Sequence, residues 1–167
     1  PRTPPPPPPQ RPEPPPTPPT DLPGYDAPAS ANLRLAYVLS RRRKEAKRAL
    51  LRSSGLLVAI AESERLLPPG DAELAKMLRG MLDHDGGYGA TRDAAFDMPA
   101  DLAAAVAAAG DSFPPLSNNA QPILEDARLI AGRTAANAAV GARHLLAALI
   151  SMPDGTDRAS DARARLT

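Results

Sequence analysis

The chain has 167 residues, 22 of them proline and none cysteine, which excludes disulfide scaffolds, thiolate zinc sites and Cys nucleophiles and fits a reducing, cytoplasmic compartment. Fifteen of the prolines fall within residues 1 to 28, so the part expected to fold is residues 29 to 167, 139 residues (167 minus 28) and the size of one domain. Lys and Arg (20) balance Asp and Glu (19) to a net charge of +1, yet residues 31 to 52 hold eight bases and one acid, while residues 53 to 167 hold ten bases and fifteen acids.

Residues 1 to 28 read as a disordered proline-rich arm, because proline lacks the amide donor and fixes φ, which favours extended polyproline II. A stiff spacer is the expected role. The alternative is a ligand for SH3-like or WW-like modules, since Thr3 to Arg11 has PxxP spacing between Arg2 and Arg11. From Ser30 or Asn32 as N-cap, a helix is predicted to run to about Leu51, with Leu35, Val38, Leu39, Ala46, Ala49 and Leu50 on one apolar stripe that Arg41 to Lys44 interrupts. A second helix follows Ser53 and Ser54, buries Leu56, Leu57, Ile60 and Ala61, and stops at Pro68-Pro69-Gly70. Asp71 caps a third, with Leu74, Ala75, Met77, Leu78, Met81 and Leu82 inward. Residues 83 to 98 read as an open loop around Gly86-Gly87-Tyr88-Gly89. Pro99 opens a fourth helix, Leu102 to Ala109, ended by Gly110. Ser117 or Asn119 opens a fifth, with Pro122 in its first turn and Ile123, Leu124, Ala127, Ile130 and Ala131 inward. A sixth spans about Ala142 to Ile150, and Asp157 to Leu166 can begin a seventh. No segment alternates with period two, so the fold class is all-α. The longest apolar run, Leu102 to Ala109, is far below the roughly 20 residues that span a bilayer. The chain opens on Pro1 with no charged-then-apolar leader, which reads as a processed product or an excerpt of something longer.

Compared with itself, the chain repeats: Gly55 to Ala61 (GLLVAIA) recurs as His144 to Ile150 (HLLAALI) at an offset of 89 residues. Both copies follow a long helix. A helix pair plus a shorter helix cannot bury its stripe alone, so two such units, about 31 to 110 and 117 to 167, are expected to pack into a pseudo-symmetric double-repeat bundle. The second copy, with Ile123, Leu124, Ala127, Ala131, Val140, Gly141, His144, Leu145, Leu146, Leu149 and Ile150, resembles the repeat of the Clp N-terminal domain, the substrate-facing domain of Clp unfoldases. The first copy keeps Leu56, Leu57 and Ile60 but has Leu51-Arg52 for Val-Gly and Gly55 for His. The resemblance implies a protein-binding fold whose second repeat, lacking a fourth helix, is truncated or degenerate. It also implies a partner or peptide site around Ser54, Arg143 and His144. The family has Glu where this chain has Ser54 and Arg143, so the family's ligand specificity does not carry over.

There is no glycine-rich phosphate loop with a following Lys-Ser/Thr, so no nucleotide motor is expected. Asp83-His84-Asp85 lacks the convergent third and fourth ligands of a metal site, and no cofactor is expected. His144 has no nucleophile or orienting acid at a readable spacing and reads as a packing and capping residue. The basic set Arg41, Arg42, Arg43, Lys44, Lys47 and Arg48 reads as a solvated face or as a patch docking on an acidic protein. Its nucleic-acid reading lacks interleaved aromatic rings for stacking and is opposed by the acidic body. The expected function is therefore a non-catalytic protein- or peptide-binding module, its partner a Clp-type ATPase or protease or its substrates. The alternative is a nucleic-acid-associated regulatory protein that uses the basic first helix.

Overall fold

A computed structural model describes residues 2–9, 21–42, 50–66, 71–83, 87–110 and 112–151. Among them the fold is all-α, with helices α1 (Ala27–Arg41), α2 (Ser53–Ala61), α3 (Ala72–Leu82), α4 (Tyr88–Ala95), α5 (Leu102–Ala108), α6 (Ala120–Thr134) and α7 (Ala142–Ile150). A single 3₁₀ turn, Ser63–Arg65, follows α2. No helix of the described residues is long and apolar enough to cross a membrane. Residues 2–9 are exposed and carry no regular structure. The expected seventh helix at Asp157 lies outside the described residues; the second helix, expected to stop at Pro68-Pro69-Gly70, already ends at Ala61, and the 3₁₀ turn with an extended Leu66 follows it.

Side-chain caps set several helix starts. Asp26, not Ser30 or Asn32, caps α1: its Oδ1 accepts from the Ala29 N–H at 2.9 Å, and Pro28 sits in the first turn, where a missing amide costs nothing. Asp71 caps α3 through the Leu74 N–H at 3.0 Å, and Asp101 caps α5 through the Ala104 N–H at 3.1 Å. The Ser117 hydroxyl accepts from the Ala120 N–H at the head of α6. Gly110, at φ 81°, ends α5 in the left-handed conformation that glycine takes without a Cβ clash.

The core is centred on α1 and α2. Residues Ala29 through Ala36 are all buried, as are Ser53 and Gly55 to Ala61. The expectation of one apolar stripe on α1 is thus too narrow, because α2, α5 and α7 all pack on it. Burial all round includes Arg34, whose Nε donates to the Gly110 carbonyl at 3.1 Å and so ties α1 to the end of α5. Helices α1 and α2 approach closely. Ser40 Oγ donates to the Ala36 carbonyl (2.6 Å) and accepts from the Arg52 N–H (3.0 Å), and Gly55 lies directly over both.

Among the described residues two parallel bridges join segments far apart in the chain, Tyr25 to Val140 and Leu51 to Leu116. They share one hydrogen-bond pattern. Val140 donates to Gly24 (2.9 Å) and accepts from Asp26 (3.0 Å), while Leu51 donates to Pro115 (2.8 Å) and accepts from Ser117 (3.0 Å). Leu51 and Val140 each lead into a nine-residue helix, and Tyr25 and Leu116 each lead toward a fifteen-residue one.

Several expectations change. The first helix ends at Arg41 and does not reach Leu51, which instead forms a bridge. Residues 83 to 98 are no open loop, for α4 occupies Tyr88–Ala95. Met77 and Met81 face solvent at 53% and 41% exposure, leaving Leu74, Ala75 and Leu78 as the buried face of α3. Leu22 and Tyr25, expected in the arm, are core residues, held by the Tyr25 bridge and by the Ser30 hydroxyl, which accepts from the Leu22 N–H at 2.9 Å.

Candidate functional site

Ser54 and Arg143 are the second residues of α2 and α7, and each helix starts two residues after a bridged residue, Leu51 or Val140. Ser54 is half-buried. Arg143 is exposed, and its Nε donates to Asp71 Oδ2 at 3.1 Å across 72 residues of sequence. It thereby joins the start of α7 to the cap of α3. The Asp71 carboxyl is held below its ordinary value of 3.8, first by the Leu74 amide; burial opposes this, and Arg143 adds to the lowering. His144 is the third residue of α7, and its Nδ1 accepts from the Gly141 N–H at 2.9 Å. This is the contact a Glu or Gln makes in a capping box, so Nδ1 is occupied by structure and only the neutral ring can make it.

Of the basic set, Arg41 and Arg42 are described; Arg43, Lys44, Lys47 and Arg48 lie outside the described residues. The two arginines end α1 on the lip of a cleft of about 480 Å³. Val38, Arg41 and Arg42 line it from the α1 side, Ala105 and Ala108 of α5 with its C-cap Ala109 from the other, and Asp97 also lines it. Arg42 is latched to Asp97: the Asp97 N–H donates to the Arg42 carbonyl at 3.0 Å, and Arg42 Nη1 lies 3.8 Å from Oδ2. The Arg41 guanidinium lies over the Tyr37 ring, 5.6 Å from its centroid. This cleft was not legible in the sequence, because α5 reads as a bland alanine helix and nothing local says which helix it faces.

A buried carboxylate was also missed. Glu62, 2% exposed, ends α2 and accepts from Tyr88 Oη at 3.0 Å and from Arg92 Nη1, while Arg65 Nη1 stands 3.6 Å from its other oxygen. The cluster pins α4 beneath α2. The phenol of Tyr88 is pushed well above its ordinary value of 10.0, first by burial and then by the Glu62 charge. Arg92 is held protonated by Asp93 and Glu62 against the cost of burial. The signal in the sequence was Tyr88 and Arg92 at helical spacing, hidden behind Gly86-Gly87 and Gly89.

Asp83 ends α3, and its Oδ1 accepts from the Tyr88 N–H at 3.2 Å; His84 and Asp85 lie outside the described residues. Among the described residues no group of three or more His, Asp or Glu side chains converges on one point. The chain matches no family model, no curated protein and no solved structure.

Proposed function

We propose that the chain is a non-catalytic protein- or peptide-binding module built as two related units in the manner of the Clp N-terminal domain. One observation carries the reading. A fifteen-residue helix followed by a nine-residue helix occurs twice, and each short helix is entered through a parallel bridge to the segment before the other unit's long helix, with the same pair of hydrogen bonds. Such an exchange of bridges gives two units a common core and leaves surface positions at the helix starts, where Ser54, Arg143 and His144 stand. Arg143 in place of an acidic residue turns that position from a receptor for cations into one that engages carboxylates, as its contact with Asp71 illustrates. His144 serves the cap of α7 and orders the backbone there. The partner under this reading is a Clp-type ATPase or protease, or a polypeptide bound for it.

The test is a peptide array of both charge signs probed with the full chain, followed by hydrogen exchange on the best binders. A subset of peptides should bind, with new protection on surface segments of the helical body. An array with no spot above background would remove the binding-module reading.

A further inference from the structure

We infer that the cleft between the last turn of α1 and α5 receives an extended acidic peptide segment of a partner protein, with one carboxylate seated on Arg41 and small apolar neighbours on the alanine floor. The inference rests on the binding-module reading and names where the segment lies and what charge it carries. The cleft's size, about 480 Å³, is within the few hundred to 1,000 Å³ typical of ligand sites.

Among the described residues its charge is unbalanced. Two guanidiniums line it against one carboxylate there, and Asp97 is latched to Arg42. Arg41 makes no ion pair among the described residues; it rests on the Tyr37 ring with its side chain exposed. A guanidinium laid on an aromatic face is positioned in advance and keeps outward N–H donors for a bidentate carboxylate. Among the described residues the opposite wall carries only methyl side chains. Ala105, Ala108 and Ala109 let a peptide backbone come close, and they leave room for small side chains between the carboxylates. A basic segment would meet the surplus positive charge. A nucleic acid would find no free ring to stack on, since Tyr37 already lies under Arg41.

The experiment uses the full chain and a fluorescent peptide of alternating Glu and Ala, with Gln–Ala and Lys–Ala peptides as controls, at roughly physiological salt, where the Debye length is about 8 Å. The Glu–Ala peptide should bind at least about tenfold more tightly than either control, as expected when a charge-assisted contact is lost. Arg41→Glu should weaken it by a similar factor. Ala108→Leu, at an exposed position, should do the same by filling the floor while leaving every charge in place. Equal affinity for the Gln–Ala peptide, or indifference to Ala108→Leu, overturns the proposal. So does displacement by single-stranded DNA that depends on Arg41 alone, which would assign the arginine to phosphate. If the array finds binders but the Glu–Ala peptide does not bind, the cleft assignment falls and the binding-module reading stands. A blank array removes both.

Discussion

Replacing Gly55 with alanine should destabilise the protein, although alanine is the better helix former. A Cβ at residue 55 would stand 2.5 Å from Ser40 Oγ and 2.7 Å from the Ala36 carbonyl oxygen. Neither neighbour yields cheaply. The carbonyl belongs to the backbone of α1, and Ser40 Oγ is engaged both as donor to Ala36 and as acceptor from the Arg52 N–H. The methyl must therefore push α1 and α2 apart, at a cost of about 1 to 3 kcal/mol for overpacking. Loss of the Ser40 bond adds about 1 kcal/mol. Helix propensity returns at most about 1 kcal/mol. The net expectation is a loss of about 1 to 3 kcal/mol, combining those terms. The same substitution at Gly80 in α3 and Gly132 in α6 supplies the control, since both are exposed and neither Cβ would meet anything within 4 Å. There alanine should stabilise by about 0.5 to 1 kcal/mol. Urea denaturation followed by far-UV circular dichroism reads all three variants. A Gly55→Ala protein as stable as the Gly80→Ala protein would refute the close approach of α1 and α2.

Four further outcomes are expected. Asp71→Ala should cost about 1 kcal/mol at neutral pH through the lost cap of α3; because the folded carboxyl sits below 3.8, the stability its charge contributes is present above that value and is lost as pH falls through the folded pKa, so part of the gap should close in acid. A gap unchanged in strong acid would mean that charge plays no part. Arg92→Met should cost about 1 to 3 kcal/mol by leaving the buried Glu62 to Tyr88 and the longer Arg65 contact, and Tyr88→Phe about 1 to 3 kcal/mol. In an alkaline absorbance titration of the wild type, Tyr88 should ionise well above 10.0, and a single ordinary transition for all tyrosines would contradict its bond to Glu62. His144→Gln should keep the cap of α7 and His144→Leu should lose about 0.5 to 1.5 kcal/mol, a difference that equal melting of the two would remove. Ala131→Leu should cost about 1 to 3 kcal/mol, because Ala131 is buried on the face of α6 that carries Ala127, in a helix that packs on α7; a fully stable variant would place that face in solvent.

Much of the helical layout was legible because its causes are local. Asp71 before an apolar period, Gly110 after one, and Ser117 three residues before Ala120 act through hydrogen bonds within a turn, and their helices lie close to where the sequence places them. The bounds of α2 and α7 differ by the same 89 residues, since 53 plus 89 is 142 and 61 plus 89 is 150, whereas α1 and α6 start 93 residues apart (120 minus 27). Boundaries slipped where a local signal was ambiguous. The two caps expected for the first helix, Ser30 and Asn32, lie inside α1, Ser30 bonding the chain back to Leu22, and Asp26 takes the cap instead. Glycines around Tyr88 hid α4, which Tyr88 and Arg92 tie to Glu62, 26 and 30 residues earlier.

By itself, then, the sequence determined the all-α class, the starts of α2, α3, α5, α6 and α7, and the apolar faces of α2, α6 and α7, because capping, proline geometry and 3.6-residue periodicity operate within a few residues of one another. Tertiary structure alone decided what those faces meet. Leu22 and Tyr25 enter the core because Val140 offers a strand-like partner 115 residues after Tyr25, and Leu51 leaves the helix for Leu116. Met77 and Met81 stay in solvent because α3 packs through Leu74, Ala75 and Leu78. The cleft exists because α5 brings Ala105 and Ala108 opposite Val38 and Arg41. Each of these depends on a partner far along the chain, and the free energy of such a contact is set by the geometry of both surfaces, which neither segment encodes alone.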